Sequence, residues 1–519
     1  MAVTREPPAM DPSFIAGPNG GDYVALGSAF LTQITPEEQP RPYLAERLPT
    51  LENGAWKVLP DGRMETTYGL SRNARWHDGQ PISAGDFLFA YEVNLDPLVP
   101  SQRRDLLASF GSIQAPDDFT LFIEWKQPYM WAGATHAPDF SPLPRHLLEG
   151  MYHGDREGFI NGPHWRDQFV GSGPYRLERW DPGNEMVFRA HDGFVLGKPL
   201  TDEVRIKFIA DANTTVANML SGAVDASFFV TIGFPQNQAL EQAAWDGATE
   251  YWRGNSRLIE FQQRDWGNLQ RAVLDVRVRR AMLHAIDRQG LVDGIFQGRA
   301  PAIHFFLHSS NPAYPAVDRA ATKYEYNPQR AKALLQEAGW PVGSDGVARN
   351  AAGQPLTMEF LAIIGDVENQ ETSVVMDNWK AVGISSEMIR LTSALTSDNE
   401  FRTKFSAVAY TRRGFGMDAM EWVTPNISTP ERRWAGNNRI GYSNPQLDDL
   451  WARALGTVDP REREPLLVEA IKVMTEDAVV TPTHLQPRAV AYRHGLIGPR
   501  EPWVDERAII WNIWEWRWG

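Results

Sequence analysis

Cysteine is absent from all 519 residues, which removes disulfides, Cys-ligated zinc and thiol nucleophiles together. Such a composition suits an exported protein with no thiol to misoxidise. No apolar run approaches the ~18 residues that a membrane-spanning helix needs. A cationic surplus is also lacking: 51 Lys and Arg face 65 Asp and Glu, for a net charge of −14. Nucleic-acid surfaces rely on concentrated Lys and Arg, so a nucleic-acid partner is not expected. The opening MAVTREPPAMDPS has no basic segment leading into an apolar one, so a signal peptide is expected to have been removed or never to have existed.

Catalytic signatures are missing as well. The 11 histidines form no H-E-x-x-H, and no G-x-S-x-G, Walker A or G-x-G-x-x-G run is present. The Gly171-Ser172-Gly173 triplet lacks the strand-to-helix switch of a nucleophile elbow, which makes Ser172 a turn residue. Spacing alone cannot select a glycosidase pair from so many carboxylates. The balance favours binding over catalysis, with no cofactor and no metal expected, although a hydrolase triad assembled from distant segments stays open as the alternative of another class.

What is present is a large soluble chain, 43% hydrophobic, long enough for two or three domains. Alternating strand and helix patterns recur in two stretches, predicting α/β architecture with a sheet in each half. In the first half, DEVRIKFI reads as a strand, followed by a helix that Asn213 caps and Gly222 stops. Ser83 and Asp86 resemble a capping box, and His77-Asp78-Gly79 reads as a tight turn. The segment after Gly21 reads as a helix running toward Ile34, and Trp514, Trp516 and Trp518 read as one face of a terminal strand. In the second half, LTMEFLAII and SSEMIRL read as strands flanking the helix VVMDNWKAVGI. NPQRAKALLQEAGW has Asn327 as cap, Pro328 in the first turn and Gly339 as stop.

Between the halves, DVRVRRAMLHAIDRQGLVDGIFQGRA holds His284, Asp287 and four arginines within its first fourteen residues. The cluster looks like chemistry, but Val278, Ala281, Met282, Ala285 and Ile286 recur at helical intervals and Asp287 stands where a second helix needs an N-cap. Its His284 and arginines are expected to face solvent or to serve as caps. The extended run Tyr251 to Gln263 marks a first crossing between domains, and TPTHLQPRAVAYR the return.

The stretches LPDGRMETTYGLSRNARWHDGQPISAGDFLFAYE, VGSGPYRLERWDPGN, TTVANMLSGAVDASF, VRRAMLHAIDRQGLVDGIFQGRA, YEYNPQRAKALLQEAGW and YSNPQLDDLWARAL occur in the order found in family 5 of the extracytoplasmic solute-binding proteins, and span nearly the whole chain. The chain resembles that peptide-, dipeptide- and nickel-binding class. The resemblance implies a two-lobe periplasmic-binding-protein-like α/β fold (type II, large cluster). Residues 1–257 plus 487–519 would form the first lobe, with an inserted subdomain at about 30–150, and residues 258–486 the second. It also implies a monomer that captures a peptide or peptide-like solute by hinge closure and delivers it to ABC permease subunits. The location implied is periplasmic or extracytoplasmic, with room for a lipid anchor on a removed N-terminal segment. An oligosaccharide, an opine or a metal complex remain as alternative solutes in the same fold.

In peptide-binding members, an Asp in a loop after a second-lobe strand meets the ligand's ammonium group. TRRGFGMDAMEW puts Asp418 in that role, with Phe415 where the family often has Trp and Gly416 allowing close backbone approach. Tyr410, Arg412 and Arg413 precede it, the arginines suited to a carboxylate. Gly17 and Pro18 match the first lobe's ligand-facing segment. The run after Asp418 departs from the family's prolines and second Asp, so capping of the following turn stays open as its other role.

Overall fold

The computed structural model describes residues 1–10, 20–36, 39–99, 101, 104–134, 140–228, 231–307, 309, 311–392, 395–414, 421–502 and 509–519. The chain divides into two units, Met1–Trp252 with Arg488–Gly519, and Arg253–Pro487. Both divisions fall inside long strands, Gly247–Phe261 and Val480–Arg493.

In the first unit one sheet runs in the order Ala2–Val3, Glu203–Phe208, Glu185–Ala190, Tyr175–Asp181. A second is made of Trp56–Val58, Met64–Gly69, Thr120–Trp125 and Phe110–Asp117. The Met64–Gly69 strand buries every other residue, so Met64, Thr66 and Tyr68 point inward. Helix Ala84–Leu95 opens with the expected box, in which the Asp86 carboxylate accepts from the Ser83 amide at 2.8 Å. The turn at His77 is also present, but the ring itself is engaged. Its Nδ1 accepts from the Gly171 amide at 3.1 Å, so Nε2 is left to donate to the Gly173 carbonyl, also at 3.1 Å.

Gly171 and Gly173 lie against the backbone at Gly27. A Cβ on Gly171 would stand 1.9 Å from the Gly27 carbonyl oxygen, and one on Gly173 would stand 2.4 Å from the Ser28 nitrogen. Ser172 between them is buried, and its hydroxyl accepts from the Ala29 amide at 2.9 Å. The triplet is therefore a packing device. The chain's C-terminal end belongs to the same unit: Asp22 accepts from the Ile509 amide at 2.6 Å, and Gln33 donates to the Trp511 carbonyl at 2.9 Å.

Three expectations fail here. The early helix covers only Gly20–Gly27, and Thr32–Ile34 is a strand, because the apolar residues after Gly27 follow a close backbone crossing rather than a helical face. The helix Ala212–Leu220 is capped by Asp211, which accepts from the Thr214 amide, so Asn213 already lies inside it. The terminal tryptophans do not share a strand face. Trp514 sits in a 3-10 turn and stacks on Tyr43 with centroids 5.9 Å apart, Trp516 is buried, and Trp518 is 51% exposed.

The second unit is built on Val480–Arg493, Gly247–Phe261, Val408–Arg413, Thr357–Ile363 and Ser385–Leu391, neighbours in that order. Thr357–Ile363 pairs in parallel with both Ser385–Leu391 and Val408–Arg413, whereas Gly247–Phe261 runs antiparallel to Val408–Arg413. Parallel neighbours need a crossover, supplied by helix Asp366–Ala381. That helix begins eight residues before the apolar run that signals it, since Glu371 and Thr372 are also buried. Ser256 to Phe261 and Val408 to Thr411 are buried throughout, so the charged residues among them must find partners inside.

The span Asp275 to Ala300 forms two helices, Val276–His284 and Arg288–Phe296, with Asp287 accepting from the Gly290 amide as cap. Two of the arginines take the capping role rather than the solvent-facing one. Arg279 and Arg288 are buried, because each terminates loose ends of backbone. Arg279 donates to the carbonyls of Val273, Leu274 and Asp477, and Arg288 to that of Tyr324 at 2.8 Å.

Candidate ligand-binding site

Strand Val408–Arg413 carries the residues nearest the expected site, and its alternation sends them to opposite faces. Tyr410 points into the interior. Its hydroxyl lies 3.1 Å from the Thr483 hydroxyl and its ring lies under the Arg257 guanidinium, 4.1 Å from the centroid. Fully buried, Tyr410 is packed among these partners.

Around Tyr410 lies a buried polar network. Arg257 and Glu371 are both 0% exposed, and Arg257 Nε donates to Glu371 Oε2 at 2.6 Å. The other carboxylate oxygen meets His484 Nε2 at 3.0 Å and accepts from Gln486 at 3.1 Å. Burial works against the charge on Glu371, but Arg257, with His484 and Gln486, outweighs it and holds the carboxyl down to about 2.

On the opposite face, Thr411 donates to Glu260 Oε2 at 2.7 Å and the Trp422 indole donates to Glu260 Oε1 at 3.1 Å. Arg413 stands 3.7 Å from the same carboxylate and 3.8 Å from Glu421, and donates to the Asn437 carbonyl at 3.0 Å. Glu260 thus ties together the strand that enters the 415–420 segment and the residues that follow it. Arg412 is exposed. The expected contacts Phe415, Gly416 and Asp418, and Gly17 and Pro18 with them, lie outside the described residues.

Arg439 completes this side. It is 8% exposed, and Asn438 positions it: the Asn438 side chain donates to the carbonyls of Val423 and Tyr442 and accepts from the Tyr442 amide. Burial first, then the nearby Arg413 and Arg402, lowers the Arg439 guanidinium to about 9. Arg402 is lowered for the same two reasons, burial and Arg413. Sequence reasoning passed over Arg257, Glu260 and Arg439. The available signal was a charge of each sign within the apolar strand NSRLIEF. Among the described residues no group of three or more His, Asp or Glu is placed to hold a metal ion, and no helix is long and apolar enough to cross a membrane.

Residues 39–438 match the model of the bacterial extracellular solute-binding proteins, family 5 (middle). The chain is 28% identical over 488 residues to Protein XP55 of Streptomyces lividans, covering 92% of this chain and 81% of that one. It is 22% identical over 468 residues to the oligopeptide-binding protein AppA of Bacillus subtilis, covering 88% and 81%. Among solved structures it is similar to NikZ from Campylobacter jejuni in complex with Ni(L-His), with TM-score 0.77, 21% identity and coverage of 99% and 98%. It is also similar to the oligopeptide-binding protein from Thermus thermophilus complexed with a pentapeptide, with TM-score 0.75, 22% identity and coverage of 100% and 96%.

Proposed function

This chain belongs to the bacterial extracellular solute-binding proteins of family 5, and from that premise we propose that it binds a peptide or peptide-like solute for an ABC importer. The observation that carries the reading is the family match across residues 39–438, joined by the similarity to oligopeptide-binding proteins. Capture proceeds by closure of the two units, and delivery to the permease follows. Closure requires that the solute bind the closed state better than the open one, since only differential affinity shifts a population. No bond of the solute is made or broken.

In this proposal Asp418 receives the ammonium group, Phe415 and Gly416 shape the wall beside it, and Arg412 and Arg413 face acidic parts of the solute. Gly17 and Pro18 contribute backbone contacts from the first unit. The protein acts as a monomer, with a lipid anchor on a preceding segment in the precursor. Mass spectrometry of material released from the purified protein, and of peptides incubated with it, tests the reading. Stoichiometric recovery of intact peptide supports it, and accumulation of cleaved product overturns it in favour of a hydrolase.

A further inference from the structure

Arg439 presents a buried cation with donors left over. Its Nε and Nη1 are buried without any hydrogen-bond partner, and Nη2 reaches only the Asn399 side-chain oxygen at 3.4 Å. No described carboxylate forms an ion pair with it. Arg413, beside it, has an unpartnered Nε as well. The carboxylate that could have answered both, Glu260, already accepts from Thr411 and Trp422. Among the described residues Arg402, Arg413 and Arg439 therefore share two carboxylates, Glu260 and Glu421, three cations against two anions.

A buried guanidinium with idle donors is costly, because it has lost water and gained nothing in return. Here it is also held still. Asn438 fixes the backbone on one side, and Arg264 donates to the Arg439 carbonyl at 2.9 Å. The cluster reaches solvent through Arg413, 14% exposed, Glu421, 27% exposed, and the exposed Asn437. A fixed planar fork of donors, short of anions among the described residues, matches the geometry of a carboxylate.

We infer that Arg439, with Arg413 beside it, is a receptor for a carboxylate carried by the solute, so that the protein prefers acidic peptides. The inference rests on the solute-binding reading above and narrows its substrate class. The receptor lies on the sheet face opposite Tyr410, and Glu260 is one of the carboxylates acting on its charge.

Calorimetry on the full chain with Ala-Glu-Ala and its isostere Ala-Gln-Ala tests the preference. Wild type is expected to bind the Glu peptide about tenfold more tightly, Arg439→Gln to bind both equally, and Arg439→Lys to keep part of the preference. Equal affinities in wild type, or an equal loss for both peptides in Arg439→Gln, overturn the receptor. If Arg439→Gln does not fold, the wild-type preference and its reduction in Arg439→Lys decide. If neither peptide binds wild type, the peptide reading fails on its own, and thermal unfolding in glutarate against chloride at equal ionic strength decides the receptor. A rise in Tm for wild type that is smaller in Arg439→Lys upholds it, and no rise in wild type overturns it.

Discussion

Trp422 donates its indole N–H to Glu260 at 3.1 Å across 162 residues of chain, the same carboxylate that takes the Thr411 hydroxyl at 2.7 Å. One buried side chain thereby holds both flanks of the segment expected to meet the ligand. Glu260→Ala would leave an indole, a hydroxyl and neighbouring guanidiniums without their acceptor. It is expected to cost about 3–5 kcal/mol in urea unfolding, as removal of one member of a buried ion pair does. Glu260→Gln keeps an acceptor and is expected to cost less.

Arg257 and Glu371 are coupled in the same sense on the other face. Each single change, Arg257→Met or Glu371→Leu, strands a charge and is expected to destabilise by about 3–5 kcal/mol. The double substitution is expected to cost clearly less than the two together, because neither charge is then left alone. Denaturant titration of the four proteins reads the coupling directly, and additive costs would show the pair to be independent.

Acid should reveal Glu371. Its carboxyl is held at about 2 in the folded protein against an ordinary value of 4.5. The folded state therefore binds its proton less readily than the unfolded one. The stabilisation is complete above pH 4.5 and lost as pH falls toward 2, a contribution of about 3 kcal/mol. Unfolding free energy measured from pH 5 downward should fall more steeply in wild type than in the Arg257→Met/Glu371→Leu protein.

Gly173→Ala is expected to destabilise by about 3 kcal/mol or more, since the added methyl meets the Ser28 nitrogen, the Gly27 carbonyl carbon and the Leu26 oxygen, all backbone atoms. Gly150→Ala, on a helix with nothing within 4 Å of the new Cβ, should be neutral or slightly stabilising. Their melting temperatures, compared side by side, check the contrast.

Asp418→Ala should weaken the binding of a peptide with a free N-terminus by roughly 1.5–3 kcal/mol, the worth of a charge-assisted hydrogen bond. N-acetylation of the peptide should produce a similar loss in wild type and no further loss in the variant. Calorimetry separates these outcomes, and an unchanged affinity in Asp418→Ala removes the ammonium contact.

The features legible in the sequence were those set by neighbours in the chain. Ser83, Asp287 and Asn327 cap helices as expected because a cap needs only an acceptor and an amide two or three residues on. Asp211 displaced Asn213 by the same local rule, applied two residues too late. The α/β rhythm was legible for a similar reason, being a matter of period, whereas the division of the first unit into separate sheets was not. Arg257 and Glu371, 114 residues apart, carry no such mark. Nor does Tyr410, whose partner Thr483 arrives 73 residues later. An arginine in a strand looks the same in sequence whether it faces water or a buried carboxylate. Hence the choice between solvent and a capping role for Arg279 and Arg288 stays open in the sequence, and the fold decides it for capping.

The bond from the Ile509 amide to Asp22 spans 487 residues, and it bears on the order in which the protein is made. Residues 253–487 form one uninterrupted unit, complete once its own last strand has been synthesised. The first unit cannot be finished then: Asp22 and Gln33, made near the start, wait for Ile509 and Trp511, made near the end. The half of the protein that is translated first is thus the half that completes its folding last.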